Sequence, residues 1–335
     1  MSEIRKNRLT GDWVIIAPER AKRGGNLGRP PAPELVPEHR PDCPFCAGNE
    51  VGEDERFRLA DASGQWRLRS VVNKFSVLSE TGEPSSLGDR ATNEIRINGV
   101  GRHEVIVETP RHDLTMARMS SEQMLTILEA YRNRFGEFYA DPRVRHVIVF
   151  KNHGADAGAS QQHPHSQIVG LPTVPGQVRD RLHRAQRFLG QNGRCLACVL
   201  MDEEIQSGPR VVAENADFVA FIPHAALSPY HLWIFPKAHR ACFSEHPAET
   251  FPALAEILRT VLAKMDALLH NPAFNLVIRS LGPRESGAPH FHWYISVIAR
   301  INKAAGFELG TGMFVNPSSP EACAQALREA VIDSE

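Results

Sequence analysis

The sequence predicts an α+β fold made of two copies of one unit, and three observations support this prediction. Each copy begins with a Cys-x-x-Cys pair, the first at Cys43 and Cys46 and the second at Cys195 and Cys198. Each then has a β-branched run that closes with Pro and a nearby His, followed by a helical pattern. A His-x-His pair begins 51 residues after that histidine in both copies (163 − 112 and 290 − 239). Equal spacing in two halves of a chain indicates an internal duplication.

The first copy contains, after its cysteines, a predicted strand at residues 104–112 that is rich in β-branched residues. Residues 120–139 follow as a predicted helix, because apolar side chains recur on one face. Residues 120–123, Ser-Ser-Glu-Gln, form a plausible capping box at its start. Further strands are predicted at residues 144–151 and, after a glycine-containing loop, at residues 167–171.

The second copy repeats this order of elements. A strand is predicted at residues 231–239, a helix at residues 249–269, and further strands at residues 274–279 and 293–298. Residues 176–194 are polar and basic, and we interpret them as the connection between the two copies.

The composition limits the possible classes of function. The chain has 335 residues, of which 42% are hydrophobic, enough for one large or two ordinary domains with a buried core. Its 38 basic and 39 acidic residues give a net charge of −1, so no broad basic field is expected to hold a nucleic-acid backbone. The N-terminus is polar, and no run of about 18 apolar residues predicts a membrane segment. We therefore expect a cytoplasmic protein that binds neither nucleic acid nor membrane, with residues 23–40, rich in Pro and Gly, as an irregular arm.

The paired cysteines favour metal binding in a reducing compartment over a disulfide framework. Zinc prefers four sulfur or nitrogen ligands in a tetrahedral array, and two cysteines separated by two residues can both reach one ion. Each copy also has a histidine after its strand and others in His-x-His, so each can supply two thiolates and two imidazoles. The alternatives are small core cysteines beside hydrogen-bonded histidines, and a thioredoxin-like redox pair, which the strand and helix pattern disfavours.

A loop with catalytic potential occupies residues 152–162 and leads into His163-Pro-His165. Backbone N–H groups of such a loop can approach a phosphate. His165 can attack phosphorus through one ring nitrogen if a backbone carbonyl holds the proton on the other. Gln167 cannot supply a titrating proton, so it favours transfer with a good leaving group, such as a sugar phosphate, over hydrolysis. From the residues alone, His165 is equally compatible with a zinc ligand or a buried structural histidine.

Six specific motifs are spread along the chain. They are Leu9-Thr-Gly-Asp-Trp-Val-Ile-Ile-Ala-Pro-Glu-Arg-Ala-Lys-Arg23, Cys43-Pro-Phe-Cys46, Val72-Asn-Lys-Phe75, the 152–167 loop with His-Pro-His-x-Gln, Pro236-Lys-Ala-His239 and Ala305-Gly-Phe-Glu308. With them the chain, from about Arg8 to Val331, resembles the galactose-1-phosphate uridylyltransferase family of the histidine-triad superfamily. The resemblance implies two histidine-triad-like domains, residues 1–175 and 176–335, each an antiparallel sheet with packed helices, related by internal duplication.

The resemblance also implies roles for single residues of the first domain. His165 is the expected uridylylated nucleophile, and Gln167 is expected to stabilise the charge on the phosphates. The other expected substrate contacts are Ser160 and Asn152 at the phosphates and Asn73 at the ribose. The expected ligands of a structural zinc are Cys43, Cys46, His112 and His163.

A second zinc is implied in the second domain, giving two ions per chain, with iron as a possible occupant of the second site. Its expected ligands are Cys195, Cys198, His239 and His292. The internal spacing of 51 residues selects His290 instead, which stays an alternative ligand. The resemblance selects His292, the histidine directly before Trp293.

A homodimer is implied because Arg20 and Arg23 match family arginines that approach the substrate from the neighbouring subunit. Phe307 and Glu308 match the segment that contacts the sugar. Phe307 stands where typical uridylyltransferases have Tyr, and this tail looks more like members that act as ADP-glucose phosphorylases.

The expected reaction exchanges UMP between UDP-glucose and galactose 1-phosphate through a uridylyl group on His165. The expected ligands are thus a nucleotide sugar and a sugar phosphate. An alternative on the same scaffold is an ADP-glucose phosphorylase, which transfers an adenylyl group to phosphate. A second alternative, from another class, is a non-catalytic nucleotide-binding or zinc-scaffold protein.

Overall fold

The computed structural model describes residues 1–22, 36–50, 52, 54–85 and 96–332, and it has the predicted α+β architecture. The helices within these residues are α1 (Ser121–Ala140), α2 (Gly176–Asn192), α3 (Leu196–Ser207), α4 (Phe251–Leu269), α5 (Gly306–Thr311) and α6 (Pro320–Glu329). The strands are β1 (Glu3–Lys6), β2 (Trp13–Ile16), β3 (Glu55–Ala60), β4 (Trp66–Val72), β5 (Arg102–Val107), β6 (His146–His153), β7 (His165–Leu171), β8 (Val211–Glu214), β9 (Phe218–Phe221), β10 (Leu232–Pro236), β11 (Phe274–Arg279), β12 (Tyr294–Ala299) and β13 (Phe314–Asn316).

One large sheet organises the molecule. Within the described ranges it has ten strands in the order β3-β4-β5-β7-β6-β11-β12-β10-β9-β8, paired antiparallel throughout. The first five strands come from the first copy, and the last five repeat the same order from the opposite edge. β6 and β11 join the two halves, from His153 opposite Phe274 to Val149 opposite Ile278. The predicted duplication is therefore confirmed, while the division at residue 175 stays a prediction.

The two longest helices pack on one face of this sheet. α1 connects β5 to β6, and α4 makes the equivalent connection from β10 to β11. Their apolar stripes, which include Phe135 and Phe138 of α1 and Leu258 of α4, share one core with sheet residues that point toward them, among them Ile168 and Ile295. Ser120 accepts a hydrogen bond from the Gln123 backbone N–H, but the Gln123 side chain donates to the carbonyl oxygens of Arg67 and Glu108, so only the N-cap half of the predicted capping box is present. The predicted helix at residues 249–269 begins with a short 3-10 turn, Ala248–Thr250, and continues as α4.

The opposite face carries α2 and α3 in the second half. Leu196 and Met201 of α3 join the aromatic side chains of Phe235 and Tyr294 in a second core. Residues 176–194, which we predicted as the connection between the two copies, lie between them in the chain and form a regular helix, α2, over most of their length. α2 is polar over most of its surface and has only a narrow apolar stripe. A narrow stripe is enough, because the surface of the sheet that α2 covers is largely apolar already.

The N-terminal segment and the C-terminal segment meet in a small sheet. Its order is β1-β2-β13, with β13 parallel to β2. No helix among the described residues is long and apolar enough to cross a membrane.

Gly101, directly before β5, is a position at which a substitution tests how closely β5 and β7 approach each other. A Cβ added at Gly101 would lie 2.2 Å from the carbonyl oxygen of Gly170, a backbone atom that cannot rotate away. We expect Gly101→Ala to lower the free energy of unfolding by about 1–3 kcal/mol. Gly136→Ala is the control, because nothing lies within 4 Å of its Cβ position inside α1. It should raise the free energy of unfolding by about 0.5–1 kcal/mol in urea titrations. Equal effects would contradict the tight approach.

Candidate functional site

The imidazole of His165 has one defined tautomer. Its Nδ1 lies 2.8 Å from the carbonyl oxygen of His163. A carbonyl oxygen only accepts, so Nδ1 carries the proton and Nε2 keeps its lone pair. Burial, and next the charge of Lys151, lower the pKa of His165, which keeps the ring neutral. The ring of Phe45, between the two cysteines of the first pair, lies 5.5 Å away and fixes its other side. The arrangement suits a nucleophile.

A buried ion pair lies behind His165, on the helix side of β7. Lys151 Nζ donates to the Glu108 carboxylate at 2.7 Å and to the carbonyl oxygen of His165 at 3.0 Å. Ser166 Oγ and Tyr131 OH donate to the same carboxylate. Glu108 and Lys151 are 0% and 1% exposed. Burial alone would raise the pKa of Glu108, but the Lys151 charge and these hydrogen bonds hold it below its ordinary value. The network therefore holds the backbone of His165 from behind.

A histidine that the sequence argument missed connects two of the predicted substrate residues. His103 Nε2 lies 2.8 Å from Gln167 Oε1 and 3.0 Å from Asn73 Nδ2. His103 is on β5, directly opposite Val169 of β7, so the period of two along both strands puts it on the His165 face. The alternation along β5 was the available sequence signal, but a single histidine outside any motif does not by itself predict a substrate contact.

The predicted phosphate loop closes over His165. Asn152 and Ser160 line the same cavity as His165, together with backbone of the 154–162 segment. Gly154 and Gly158 have φ of 80° and 87°, and these left-handed values explain why glycine stands at both positions. Asn152 Oδ1 accepts from Asn275 Nδ2 at 2.9 Å, which ties the loop to the second half of the sheet. The loop thus presents backbone and amide groups toward the imidazole.

The four residues predicted as the first metal site lie together. The Sγ of Cys46 is 3.4 Å from His112 Nδ1 and 3.6 Å from His163 Nδ1, and the Sγ of Cys43 is 3.7 Å from His163 Nδ1. His163 Nε2 donates to the Thr109 carbonyl at 2.8 Å, so Nδ1 faces the sulfurs with a free lone pair. Burial lowers the pKa of His163 to about 4, which keeps the ring neutral and able to bind metal.

The second cluster contains His292 and not His290. The Sγ of Cys198 lies 3.2 Å from His239 Nδ1 and 3.3 Å from His292 Nδ1, and Cys195 completes the group. His290 instead touches Cys195 only through its backbone carbonyl. The internal spacing of 51 residues therefore points to the wrong histidine, because the chain between His239 and the strand is two residues longer than its counterpart.

Both clusters fit a tetrahedral metal. Within each, all four ligand atoms lie within 4.8 Å of one another, and each set is two thiols with two imidazoles. A zinc ion with bonds of about 2.0–2.3 Å separates its ligand atoms by roughly 3.3–3.8 Å. The contacts of 3.2–3.7 Å match that range. The six cysteines are all free thiols.

Five predicted substrate residues do not line this cavity, and one is outside the described ranges. Asn73 and Gln167 contact His103 instead. Arg20 is exposed in the short 3-10 turn Pro18–Lys22 and does not line the cavity. Phe307, 46% exposed, and Glu308 are on α5 and do not line it either. Arg23 falls outside the described residues.

In the part of the second half that the structure describes, His165 has no counterpart. His163 and His292 are equivalent, since each is the metal-cluster histidine that precedes its strand. Two and four residues later the first half has His165 and Gln167, whereas the second half has Tyr294 and Ser296. α3 also covers Tyr294. Within the described residues, the geometry of a phosphate-attacking imidazole therefore occurs in the first half alone.

Comparison with known proteins gives consistent relatives. The sequence profile of the family described as galactose-1-phosphate uridyl transferase, N-terminal domain, matches residues 1–175, and that of a domain of unknown function matches residues 101–334. An ADP-glucose phosphorylase of Arabidopsis thaliana is 34% identical over 98% of this chain and 92% of its own length. A galactose-1-phosphate uridylyltransferase of Thermotoga maritima is 26% identical over 99% of this chain and 100% of its own. A crystal structure of an Arabidopsis thaliana ADP-glucose phosphorylase with bound ADP-glucose superposes with a TM-score of 0.84, at 32% identity, over 99% of this chain and 100% of that one.

Two variants separate the effect of the Lys151–Glu108 ion pair on the free energy of unfolding from its effect on the position of His165. Lys151→Met leaves Glu108 buried without its cation, so we expect the free energy of unfolding to fall by about 3–5 kcal/mol. Lys151→Met combined with Glu108→Gln removes the unpaired charge and should recover much of that loss. Both proteins lack the donor to the His165 carbonyl, so both should keep a reduced kcat. Full kcat in the double variant, with stability measured in urea, would show that Lys151 does not position His165.

The same pair gives a pH dependence of stability. Because the folded-state pKa of Glu108 lies below its unfolded value, its contribution is present above about pH 4.3, the unfolded value, and is lost as the pH falls through the folded pKa. Glu108→Gln should therefore lose less stability than the parent protein as the pH falls below about 4.3. Parallel curves from urea unfolding at several pH values would contradict the lowered pKa.

Metal content tests the two clusters. We expect about two ions per chain, and Cys46→Ser should remove about one of them and lower the melting temperature, because Cys46 contacts both histidines of its cluster. Cys242→Ser is the matched control, since Cys242 is a buried free thiol outside both clusters. It should keep both ions. Elemental analysis that finds one ion in the parent protein would eliminate the second site, and an equally stable metal-free protein would eliminate both.

Proposed function

Since the chain belongs to the galactose-1-phosphate uridylyltransferase family and is a nucleotidyltransferase, we propose that it transfers a nucleotidyl group from a nucleoside-diphosphate sugar through a covalent bond to His165. One observation carries the proposal. The His163 carbonyl holds the proton on Nδ1 of His165, and the Nε2 lone pair belongs to a neutral ring beside the phosphate loop.

The reaction has two steps with the same geometry. Nε2 attacks the α-phosphorus, the bond from phosphorus to the bridging oxygen breaks, and the sugar 1-phosphate leaves with the electron pair. An oxygen of the acceptor phosphate then attacks the same phosphorus, and the phosphorus–nitrogen bond breaks. Neither leaving group needs a proton, which agrees with an amide at Gln167. Rate acceleration comes from alignment and from hydrogen bonds of Gln167, Ser160 and the loop N–H groups to the phosphate oxygens.

The donor best supported is ADP-glucose, with inorganic phosphate as acceptor. The support is the 34% identity to an ADP-glucose phosphorylase over nearly the whole chain and the likeness to a structure with bound ADP-glucose. Phe307, in the position where uridylyltransferases have Tyr, agrees with this choice. Uridylyl exchange between UDP-glucose and galactose 1-phosphate, our first expectation, is the second candidate, because the family profile over residues 1–175 and the 26% identical relative carry that activity in their names.

Zinc is the metal that both donor sets favour, with Cys43, Cys46, His112 and His163 at one ion and Cys195, Cys198, His239 and His292 at the other. When bound, zinc would cross-link the chain segments that carry its four ligands and would supply no redox chemistry. The His163 ring would be fixed by the metal while the His163 carbonyl orients the nucleophile, so the first site is a positioning device for His165.

We propose that residues of two chains form each active site. Arg20, Phe307 and Glu308 lie on exposed segments away from the His165 cavity of their own chain. In a homodimer these residues, with Arg23, would complete the cavity of the other subunit and contact the sugar and phosphates of the nucleotide sugar.

The covalent intermediate is the sharpest test. Protein given ADP-glucose without phosphate should gain one adenylyl group on the peptide that contains His165, seen by mass spectrometry, and release glucose 1-phosphate. A phosphoramidate is acid-labile, so the adduct should survive alkali and vanish at low pH. His165→Asn should form no adduct, because it removes the nucleophile, and should still bind nucleotide.

Gln167→Ala is the companion variant. It should slow both half-reactions by about 10²–10³-fold, in the range for loss of one charge-stabilising donor, yet still give the adduct. An adduct from UDP-glucose but none from ADP-glucose would keep the mechanism and reverse the order of the two candidates. Full activity in His165→Asn would eliminate the mechanism.

A further inference from the structure

A second cavity lies on the same face of the sheet as His165, and it shares no lining residue with the first. It lies between the central strands and α2, and its lining includes His146, Arg181, Arg279, His290 and Tyr294. Asn275, which holds the catalytic loop through Asn152, and Arg279 are four residues apart on β11. At about 3.3 Å per residue, the two cavities are separated by roughly 13 Å along this strand.

Two guanidinium groups face this cavity from opposite sides. Arg279 comes from β11, opposite Tyr294 of β12, and Arg181 comes from α2, one turn after Val178. Arg279 Nε is buried and has no hydrogen-bond partner within the described residues. The structure records no ion pair for either arginine in that part of the chain, and the cavity lining contains no carboxylate. Asp12, outside the lining, is the acidic group whose charge acts on Arg279.

This arrangement costs free energy unless an anion is present. Burial lowers the pKa of Arg279, and the neighbouring charge of Arg181 lowers it further. Arginine stays charged in proteins, so two like charges remain close together in a partly desolvated space. Guanidinium groups recognise oxyanions through paired N–H donors in a fixed fork. An oxyanion between the two forks would satisfy both.

We propose that this cavity binds a phosphate-type oxyanion, either inorganic phosphate or the phosphate of a small monoester, between Arg279 and Arg181. A tetrahedral anion offers two edges, one for each guanidinium, whereas one carboxylate offers a single edge. His146 supplies a further ring nitrogen, since burial lowers its pKa to about 4 and keeps it neutral. Leu9, Val178 and Phe291 line the rest of the cavity with apolar groups.

An occupied site would connect α2 to the sheet. Arg181 is on α2, Arg279 on β11 and His146 on β6, so one anion would connect α2 to two neighbouring strands of the sheet. The same helix leads directly to Cys195 of the second metal cluster. The anion is therefore a structural ligand of the second half and does not take part in nucleotidyl transfer.

Phosphate binding by calorimetry on the full-length chain tests this, with inorganic phosphate as the probe. Arg279→Gln and Arg181→Gln keep the side-chain length and lose the charge, and each should weaken phosphate binding at least tenfold. Arg187→Gln is the matched control, because Arg187 is an exposed arginine of the same helix outside the lining. It should bind phosphate like the parent protein. Sulfate should compete and acetate should not.

The His165 cavity must be excluded as the source of the signal. His165→Asn and Gln167→Ala should retain this phosphate binding, because neither residue lines the second cavity. Absence of phosphate binding in the parent protein, or its loss in Gln167→Ala with retention in Arg279→Gln, would overturn the proposal. If Arg279→Gln does not fold, Arg181→Gln decides the result alone, since Arg181 is a half-buried residue on the outer helix.

Discussion

The alternation of side chains along β7 is the constraint on which the functional half of the molecule depends. Successive residues of a strand point to opposite faces, so His165 and Gln167 share one face while Ser166 and Ile168 point toward α1. A shift of one residue would place the imidazole in the apolar core and a serine in the phosphate cavity. The register with β5 and β6 is held by six and five residue pairs, respectively, so this exchange is strongly disfavoured.

Both faces of β7 then act on the same imidazole. On the open face, the His163 carbonyl fixes its tautomer and Phe45 fixes its ring. On the helix face, Lys151 holds its backbone carbonyl, and Glu108 compensates the charge of Lys151 at full burial. A buried ion pair of this kind contributes little net stability, because desolvation offsets most of the attraction. It acts on position instead, since the Lys151 ammonium group connects the carboxylate of Glu108 to the backbone of His165.

The two halves share one architecture and have diverged in what covers the open face. In the second half, α3 packs on Phe235 and Tyr294 and converts the face into core. In the first half, the corresponding face remains a cavity bounded by the phosphate loop. The two Cys/His clusters occupy equivalent places in both halves, so a bound metal would support the fold of each unit. Within the described residues, a candidate nucleophile lies in the first half alone. The cavity that Arg181 and Arg279 line lies between α2 and the central strands, and its lining has no carboxylate to compensate these two positive charges.

The sequence by itself determined the duplicated α+β unit, the helices α1 and α4, the cysteine pairs and the nucleophile candidate, because these depend on periodicity and on residue types at short spacing. Spacing along the chain selected His290, and the resemblance to the family selected His292. The structure places His292 in the second cluster, since a ligand is chosen by distance in space and two extra residues shift any count along the chain. Two features were decided only by the tertiary structure. His103 and Lys151 contact residues 64 and 14 positions away along the chain. Alternation along β5 indicates the face on which His103 lies, but these contacts depend on strand pairing, which no local pattern predicts. α2 is a helix despite its polar sequence, because the surface that it covers is supplied by strands far away in the chain, and a narrow apolar stripe suffices once that surface exists.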